Sequence, residues 1–208
     1  WAGLDVLLTA DWPHPSGAKL KVSACAIDSG GLATQSVYQY CRERQGVGVI
    51  AIKGSSQSGK PAIGKGAKVD INSRGRVLKK GLTLYAVGTD TIKDVIYSRL
   101  KHNEKIHFHA QTGEDYFKQL TGERRVLKAN SRGFRAPVYI KKPNQAVEAL
   151  DCCVYAYAAY SFLLKRHPKG KFFDIYAKKL LNPTNSSNKK TLNSKHASSK
   201  QANYVNQW

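Results

Sequence analysis

The stretch Lys21-Val-Ser-Ala-Cys-Ala-Ile-Asp-Ser-Gly-Gly31 constrains this chain more than any other. A β-rich run from Val22 to Ile27 ends in a carboxylate, and a Ser-Gly-Gly turn follows at once. The glycines let the backbone turn away sharply, so Asp28 is held at the carboxyl end of a strand. Ala33 to Arg44 then carries Val37, Tyr40 and Cys41 at helical spacing, and Gly46 ends the pattern. Val47 to Ile52 is a second apolar run. Strand, helix and strand in so short a span make a βαβ unit, which requires parallel strands and a right-handed crossover. The fold class is therefore α/β, and the carboxyl ends of its strands are where such sheets place their chemistry.

Composition narrows the partner. The chain has 208 residues and 41% hydrophobic content, enough for a domain with a core. Lysine and arginine number 34 against 14 acids, a net charge of +20. Basic residues recur along the whole length, which points to a polyanion; a ribosomal-type or merely very soluble protein is the plainer alternative. Cys25, Cys41, Cys152 and Cys153 contain no C-x-x-C pair and three lie in apolar runs, so they read as buried thiols of a reducing compartment. No basic-then-apolar leader is visible, and Cys152 to Leu164 is too short to span a bilayer. No basic amphipathic stripe suggests a membrane surface either. The expectation is a soluble intracellular protein.

Further along, Trp1 to Thr9 has helical spacing with no cap before it, so the chain is expected to begin inside an element. Gly54 to Gly81 is rich in Gly, Ser and Lys with little hydrophobic periodicity, and reads as a long loop or flexible hairpin, more mobile than its surroundings. Its bases, with Lys53 just ahead, are Lys53, Lys60, Lys65, Lys68, Arg74, Arg76, Lys79 and Lys80, against the single acid Asp70. They are the candidate grip for a phosphate backbone, or else a solvated loop. Leu82 to Val87 is a strand, and a helix capped by Thr89 or Asp90 runs to Leu100. Lys105 to His109 is a short extended piece, Thr112 to Leu120 a helix, and Glu123 to Leu127 with Pro137 to Ile140 are strands around a basic turn. Asn144 to Leu164 is the longest helix, apolar on most faces. A short helix at Phe172 to Leu181 follows, and residues 184–208 form an Asn/Ser/Lys-rich tail expected to be disordered.

Asp151 stands within the longest helix, where a charge needs a purpose or a partner. Glu148 lies one turn earlier on the same face. A strand-end carboxylate and a helix carboxylate can share Mg²⁺ or Mn²⁺ over a phosphodiester, because hard cations take oxygen ligands; pairing of Asp151 with a lysine or arginine is the structural alternative. Gly54-Ser-Ser-Gln-Ser-Gly-Lys60 mimics a phosphate-binding loop, but Pro61 stands where Ser or Thr should and no helical pattern follows, so an ATP site is rejected. His107 and His109 would share one face of a strand and could be half of a metal site, without a third ligand nearby in sequence. Asp90 is explained by helix capping.

Several stretches together resemble a known family. They are Ala26-Ile-Asp-Ser-Gly-Gly31 with Thr34 to Tyr38, Ala51-Ile-Lys-Gly54, Val87-Gly-Thr-Asp-Thr-Ile-Lys93 with Tyr97 to Leu100, Gln119-Leu-Thr-Gly-Glu123, and Glu148-Ala-Leu-Asp-Cys152 with Tyr155 and Ala158–Ala159. In order and spacing they resemble the C-terminal nuclease domain of tailed-phage terminase large subunits of the lambda-like GpA family, over residues 1–165. The resemblance implies an RNase H-like mixed sheet flanked by helices, and divalent-metal-dependent cutting of concatemeric double-stranded DNA during packaging in the host cytoplasm. It implies Asp28 as the carboxylate of the fourth core strand and Asp151 as that of the final core helix. Mg²⁺ or Mn²⁺ would be the cofactor, held by Asp28, Asp151 and Glu148, with the terminase small subunit and the portal as further partners. The sequence also departs from the family. No first strand with its own catalytic aspartate precedes the opening helix, the ATPase domain is absent, and Val147 stands where the family commonly has Asn. The expectation is thus a nuclease domain over 1–165 lacking its first core strands, a helical extension over 166–183 and a basic tail over 184–208. The rival is a catalytically incomplete DNA-binding or assembly fragment.

Overall fold

Val49–Gly54 (β4) is the strand around which the protein packs. Its side chains alternate between two cores. Val49 and Ala51 join Val37, Tyr38, Tyr40, Cys41, Ile71 and Leu82 on one face. Ile50 and Ile52 join Ile63, Val87, Ile92, Ile96, Leu150 and Val154 on the other. Burial on both faces is what an uninterrupted apolar run in a parallel sheet requires. The computed structural model describes residues 1–73, 75–129, 133–167 and 171–181.

The elements follow as α1 (Ala2–Thr9), the short pair β1 (Trp12–Pro13) and β2 (Lys19–Leu20), β3 (Cys25–Asp28), α2 (Thr34–Glu43), β4, β5 (Ala67–Ser73), β6 (Arg76–Val87), α3 (Thr89–Lys101), α4 (Glu114–Leu120), β7 (Glu123–Ala129), β8 (Arg135–Lys141), α5 (Glu148–Arg166) and α6 (Lys171–Leu181). The main sheet has the order β3-β4-β6-β5. β3 and β4 are parallel with Asp28 opposite Ile52, β4 and β6 are parallel, and β5 returns antiparallel along β6. The βαβ reading therefore holds, and the sheet is mixed with helices on both faces. β7 and β8 form a separate antiparallel ribbon.

Several expectations are corrected. Gly54 to Gly81 is not simply a mobile loop: Ile63 is 1% exposed within the core, and Gly64 N–H donates to Ala86 O at 2.8 Å. Ile71 of β5 is equally buried, but two isoleucines eight residues apart leave no periodicity to read. Leu82 to Val87 proves to be only the last half of a twelve-residue strand. The α3 cap is Gly88, with Thr89 and Asp90 inside the first turn, where Asp90 complements the helix dipole. Residues 105–109 form no strand, so His107 and His109 share no strand face. Cys152 is exposed and Cys25 and Cys153 are half-buried; only Cys41 is fully buried, and burial pushes its thiol up to about 12. All four are free thiols. The longest helix begins at Glu148, not Asn144. Asn144 takes a left-handed φ of 55°, and the Pro143–Asn144 turn closes before the helix starts. No described helix is long and apolar enough to cross a membrane. Residues 184–208 lie outside the described residues.

Candidate metal and nucleic-acid site

β3 delivers Asp28 to the carboxyl end of the sheet, exposed. The turn behind it is fastened to β4: Ser29 N–H and Ser29 Oγ–H both donate to Ile52 O at 2.9 Å. Asp28 Oδ1 accepts Gly30 N–H at 3.1 Å. A β-carbon on Gly30 would lie 3.3 Å from Asp28 Oδ2, so glycine leaves the carboxylate room. Thr34 Oγ1–H donates to Ser29 O and Gly31 O, locking the turn to the start of α2.

The second carboxylate arrives on α5, which packs against β3. Glu148 and Asp151 both fall in its first turn. Ala149 N–H is capped by Gln119 Oε1 from the end of α4, which fixes where α5 begins. Burial raises Asp151 above the ordinary carboxylate range. Lys93 opposes that rise, and the carboxylates of Glu123, Glu148 and Asp28 reinforce it. Asp28 and Asp151, far apart in sequence, therefore lie within reach of each other's field. Tyr155, one turn past Asp151, faces both. Burial first, then the charges of Asp28 and Asp151, push its hydroxyl far up, so it stays protonated beside the two carboxylates.

Three members of this cluster, Lys93, Glu123 and Tyr155, were quoted in the sequence motifs without a role. Lys93 of α3 is 8% exposed, and its Nζ sits 2.7 Å from Glu123 Oε2 at the start of β7. Lys93 lies in the stripe Ile92, Ile96, Leu100, so a charge on an apolar stripe was the available signal; nothing marked Glu123 or Tyr155 beforehand. Glu148 is exposed at the rim. Asp90, and the aspartates ahead of β3, serve elsewhere: Asp5 is bound by Arg44 and Tyr40, and Asp11 by Lys21.

Two carboxylates bearing hard oxygen donors suit Mg²⁺ or Mn²⁺, and Mg²⁺ commonly takes one or two protein carboxylates with substrate phosphate and waters filling the rest. Among the described residues, no three His, Cys, Asp or Glu side chains are gathered closely enough to enclose an ion by themselves.

The basic residues divide. Lys53 ends β4 beside Asp28, and Lys60 lies in the loop whose carbonyl accepts Thr91 Oγ1–H at 2.7 Å, at the start of α3. Both are exposed at the carboxyl end of the sheet, as is Lys65 near Ala86. Lys68 pairs with Thr83. Arg76, Lys79 and Lys80 lie at the other end of the hairpin: from Tyr85, level with Ile52, back to Lys79 the strand covers about 20 Å. Asp70 accepts the backbone N–H of Lys80 and is spent on the hairpin. Arg74 lies outside the described residues.

A family model for the endonuclease domain of the terminase large subunit gpA matches residues 1–169. The chain belongs to this family. It is 29% identical over 175 residues to the terminase large subunit of Enterobacteria phage P21, and 30% identical over 176 residues to that of Escherichia phage lambda. Each match covers 78% of this chain and 26% of the relative, so the chain spans about a quarter of the length of these curated relatives. No solved structure matches. Within this terminase endonuclease family, the matched region takes in every element from α1 to α5, and with them Asp28, Lys93, Glu123, Glu148, Asp151 and Tyr155.

Proposed function

We propose that this chain is a divalent-metal-dependent endonuclease module that cuts concatemeric double-stranded DNA for packaging, with an RNase H-like arrangement. What supports the reading is that α5 packs against β3, the strand that ends in Asp28, and that the charge of Asp28 reaches Asp151. Asp28 and Asp151 hold Mg²⁺ or Mn²⁺, and Glu148 supplies a weaker third carboxylate from the rim. A metal bound there would offer Lewis-acid charge to a phosphodiester oxygen and to an attacking water. The chain's own part is to hold the carboxylates: the Ser29–Ile52 bonds fix the turn behind Asp28, and the Gln119 cap fixes the first turn of α5. Lys53, Lys60 and Lys65 lie where phosphates beside the cut would pass. Lys68, Arg76, Lys79 and Lys80 would extend the grip along the duplex, with ~20 Å covering about six base pairs at 3.4 Å each. By the same family reading, the small subunit and the portal are partners.

In the described residues β3 is an edge strand. An RNase H-like sheet has a further strand against that edge, carrying another aspartate. A strand paired there would complete both sheet and site.

The test is plasmid cleavage with Mg²⁺ or Mn²⁺, comparing the wild type with Asp28→Ala and Asp151→Ala. The expected result is metal-dependent cutting that each substitution abolishes; cutting that survives both removes the mechanism. A second reading, a DNA-binding or assembly fragment without cutting, is favoured by the gathering of fewer than three ready ligands among the described residues. It is distinguished by salt-sensitive DNA binding without metal-dependent cleavage.

A further inference from the structure

The Lys93–Glu123 pair is unusual in its place. A lysine is almost never this buried unless paired. Here the pair joins three elements: α3 supplies Lys93, the root of β7 supplies Glu123, and both stand against the start of α5. The contact with α5 is tight. A β-carbon on Gly122 would lie 2.8 Å from Ala146 O and 2.8 Å from Val147 Cγ1. Lys142 N–H donates to Gly122 O at 2.8 Å, which fastens the same corner. Tyr97 Oη–H donates to Leu120 O at 3.2 Å, holding α3 against the end of α4. The ring of Tyr139 lies 5.7 Å from Lys93 Nζ, and Tyr139 itself is fixed by donating to Asp94 at 2.6 Å. The ammonium is thus clamped, with little freedom to leave Glu123.

We propose that Lys93 is the resident counter-charge of the carboxylate cluster, a positioning residue held by Glu123, and that its fixed ammonium sets how tightly the cluster takes a divalent cation. The proposal rests on the metal-site reading above. Asp151 is acted on by the Lys93 ammonium and by the carboxylates of Glu123, Glu148 and Asp28, four carboxylates to one ammonium and a formal charge of −3. An approaching cation is attracted by the carboxylates and repelled by Lys93. In a partly buried cluster, where screening is weak, that repulsion is large enough to govern affinity. The ammonium keeps the empty cluster from flying apart and keeps its hold on metal moderate.

The sign of the effect separates this role from a merely structural one. Lys93→Met removes the charge while keeping an apolar stem of similar length, and takes the formal charge to −4. Mn²⁺ should then bind about tenfold more tightly, as measured on the whole chain without DNA by calorimetry or by the paramagnetic signal of free Mn²⁺. A residue that only braced the fold would loosen the site and weaken binding. Lys93→Arg keeps the charge and should keep wild-type affinity. Should Lys93→Met alone fail to fold, because Glu123 is left unpaired, the decisive comparison is Glu123→Gln against Glu123→Gln with Lys93→Met. Adding Lys93→Met there should again tighten Mn²⁺ binding about tenfold. Asp28→Asn separates the two layers of the argument. If the wild type binds no Mn²⁺, or Asp28→Asn binds it equally well, the metal-site reading fails and takes this proposal with it. If binding depends on Asp28 yet neither comparison tightens it, the counter-charge role alone is overturned.

Discussion

Gly88 is the point where the loop over residues 55–66 is pinned under the junction of β6 and α3, and Gly88→Ala should be among the most damaging single changes outside the core. Its φ of −76° is open to any residue, so the backbone itself is not strained by a side chain. The obstacle is space. A β-carbon would lie 2.1 Å from Lys60 O and 2.7 Å from Pro61 O, both backbone atoms. The loop would have to withdraw, breaking the 3.1 Å bond from Gly88 N–H to Pro61 O and pulling on Ile63 in the core. Overpacking costs ~1–3 kcal/mol. Partial exposure of Ile63 adds about 1–2 kcal/mol, since full burial of such a side chain is worth about 1.5–3. The expected loss is about 2–5 kcal/mol, a large share of the stability of an ordinary domain.

Gly113 is the matched control. It too is a helix N-cap with a negative φ, −71°, but nothing lies within 4 Å of its added β-carbon. Gly113→Ala should cost no more than about 1 kcal/mol, the usual difference between glycine and alanine at a cap. Urea unfolding followed by circular dichroism measures both, provided the m-value is unchanged. Equal losses in the two variants would refute the steric account. So would a loss under ~1 kcal/mol at Gly88, which would mean the loop yields freely.

Asp151→Asn should stabilise the metal-free protein while abolishing cleavage. The folded state holds this carboxyl above its unfolded value, so its favourable contribution is present below the unfolded value and is lost as pH rises through the folded one. At neutral pH the charge is a cost, on the order of 0.5 kcal/mol after discounting for partial exposure, or about 1–2 °C in Tm; a fall in Tm on Asp151→Asn would contradict this. Asp5 behaves in the opposite sense. Its hydrogen bonds to Arg44, at 2.6 and 2.7 Å, hold its carboxyl below the usual value against the effect of burial. Its stabilisation is present above the unfolded value and lost as pH falls through the folded one. Arg44→Ala should cost ~2 kcal/mol at pH 7, between exposed and buried pairs, and should flatten the acid limb of a Tm–pH curve; an unchanged limb would place the acid sensitivity elsewhere.

The parts of the protein that could be read beforehand are those where one physical demand acts alone. β4 was legible because two-sided burial requires an unbroken apolar run, and Asp28 because a glycine turn directly follows the strand. The start of α5 was misread because two demands coincide: Pro143-Asn144 resembles a helix entry, while Asn144 in fact takes the left-handed conformation of a turn. Val147, at the true N-cap, shows the same competition. No side chain caps this helix from that position, since Val147 is 8% exposed and packed in the core. An asparagine there would gain ~1 kcal/mol as a cap but forfeit about 1.5–3 kcal/mol of apolar burial, so burial wins. The length of the basic hairpin was hidden for a related reason. Sequence proximity sets Lys53 and Lys79 side by side, whereas a strand that overshoots its neighbour spreads them to opposite ends of the sheet. The acidic cluster was half legible. A carboxylate on a mostly apolar helix flags Asp151, and the same test applied to α3 flags Lys93 between Ile92 and Ile96. Charges on apolar stripes need partners, and two stripes of opposite charge in one chain are candidates to be partners of a single cluster. What no periodicity could supply is Glu123, the strand-start carboxylate that pairs with Lys93, because that pairing exists only once α3, β7 and α5 share a corner.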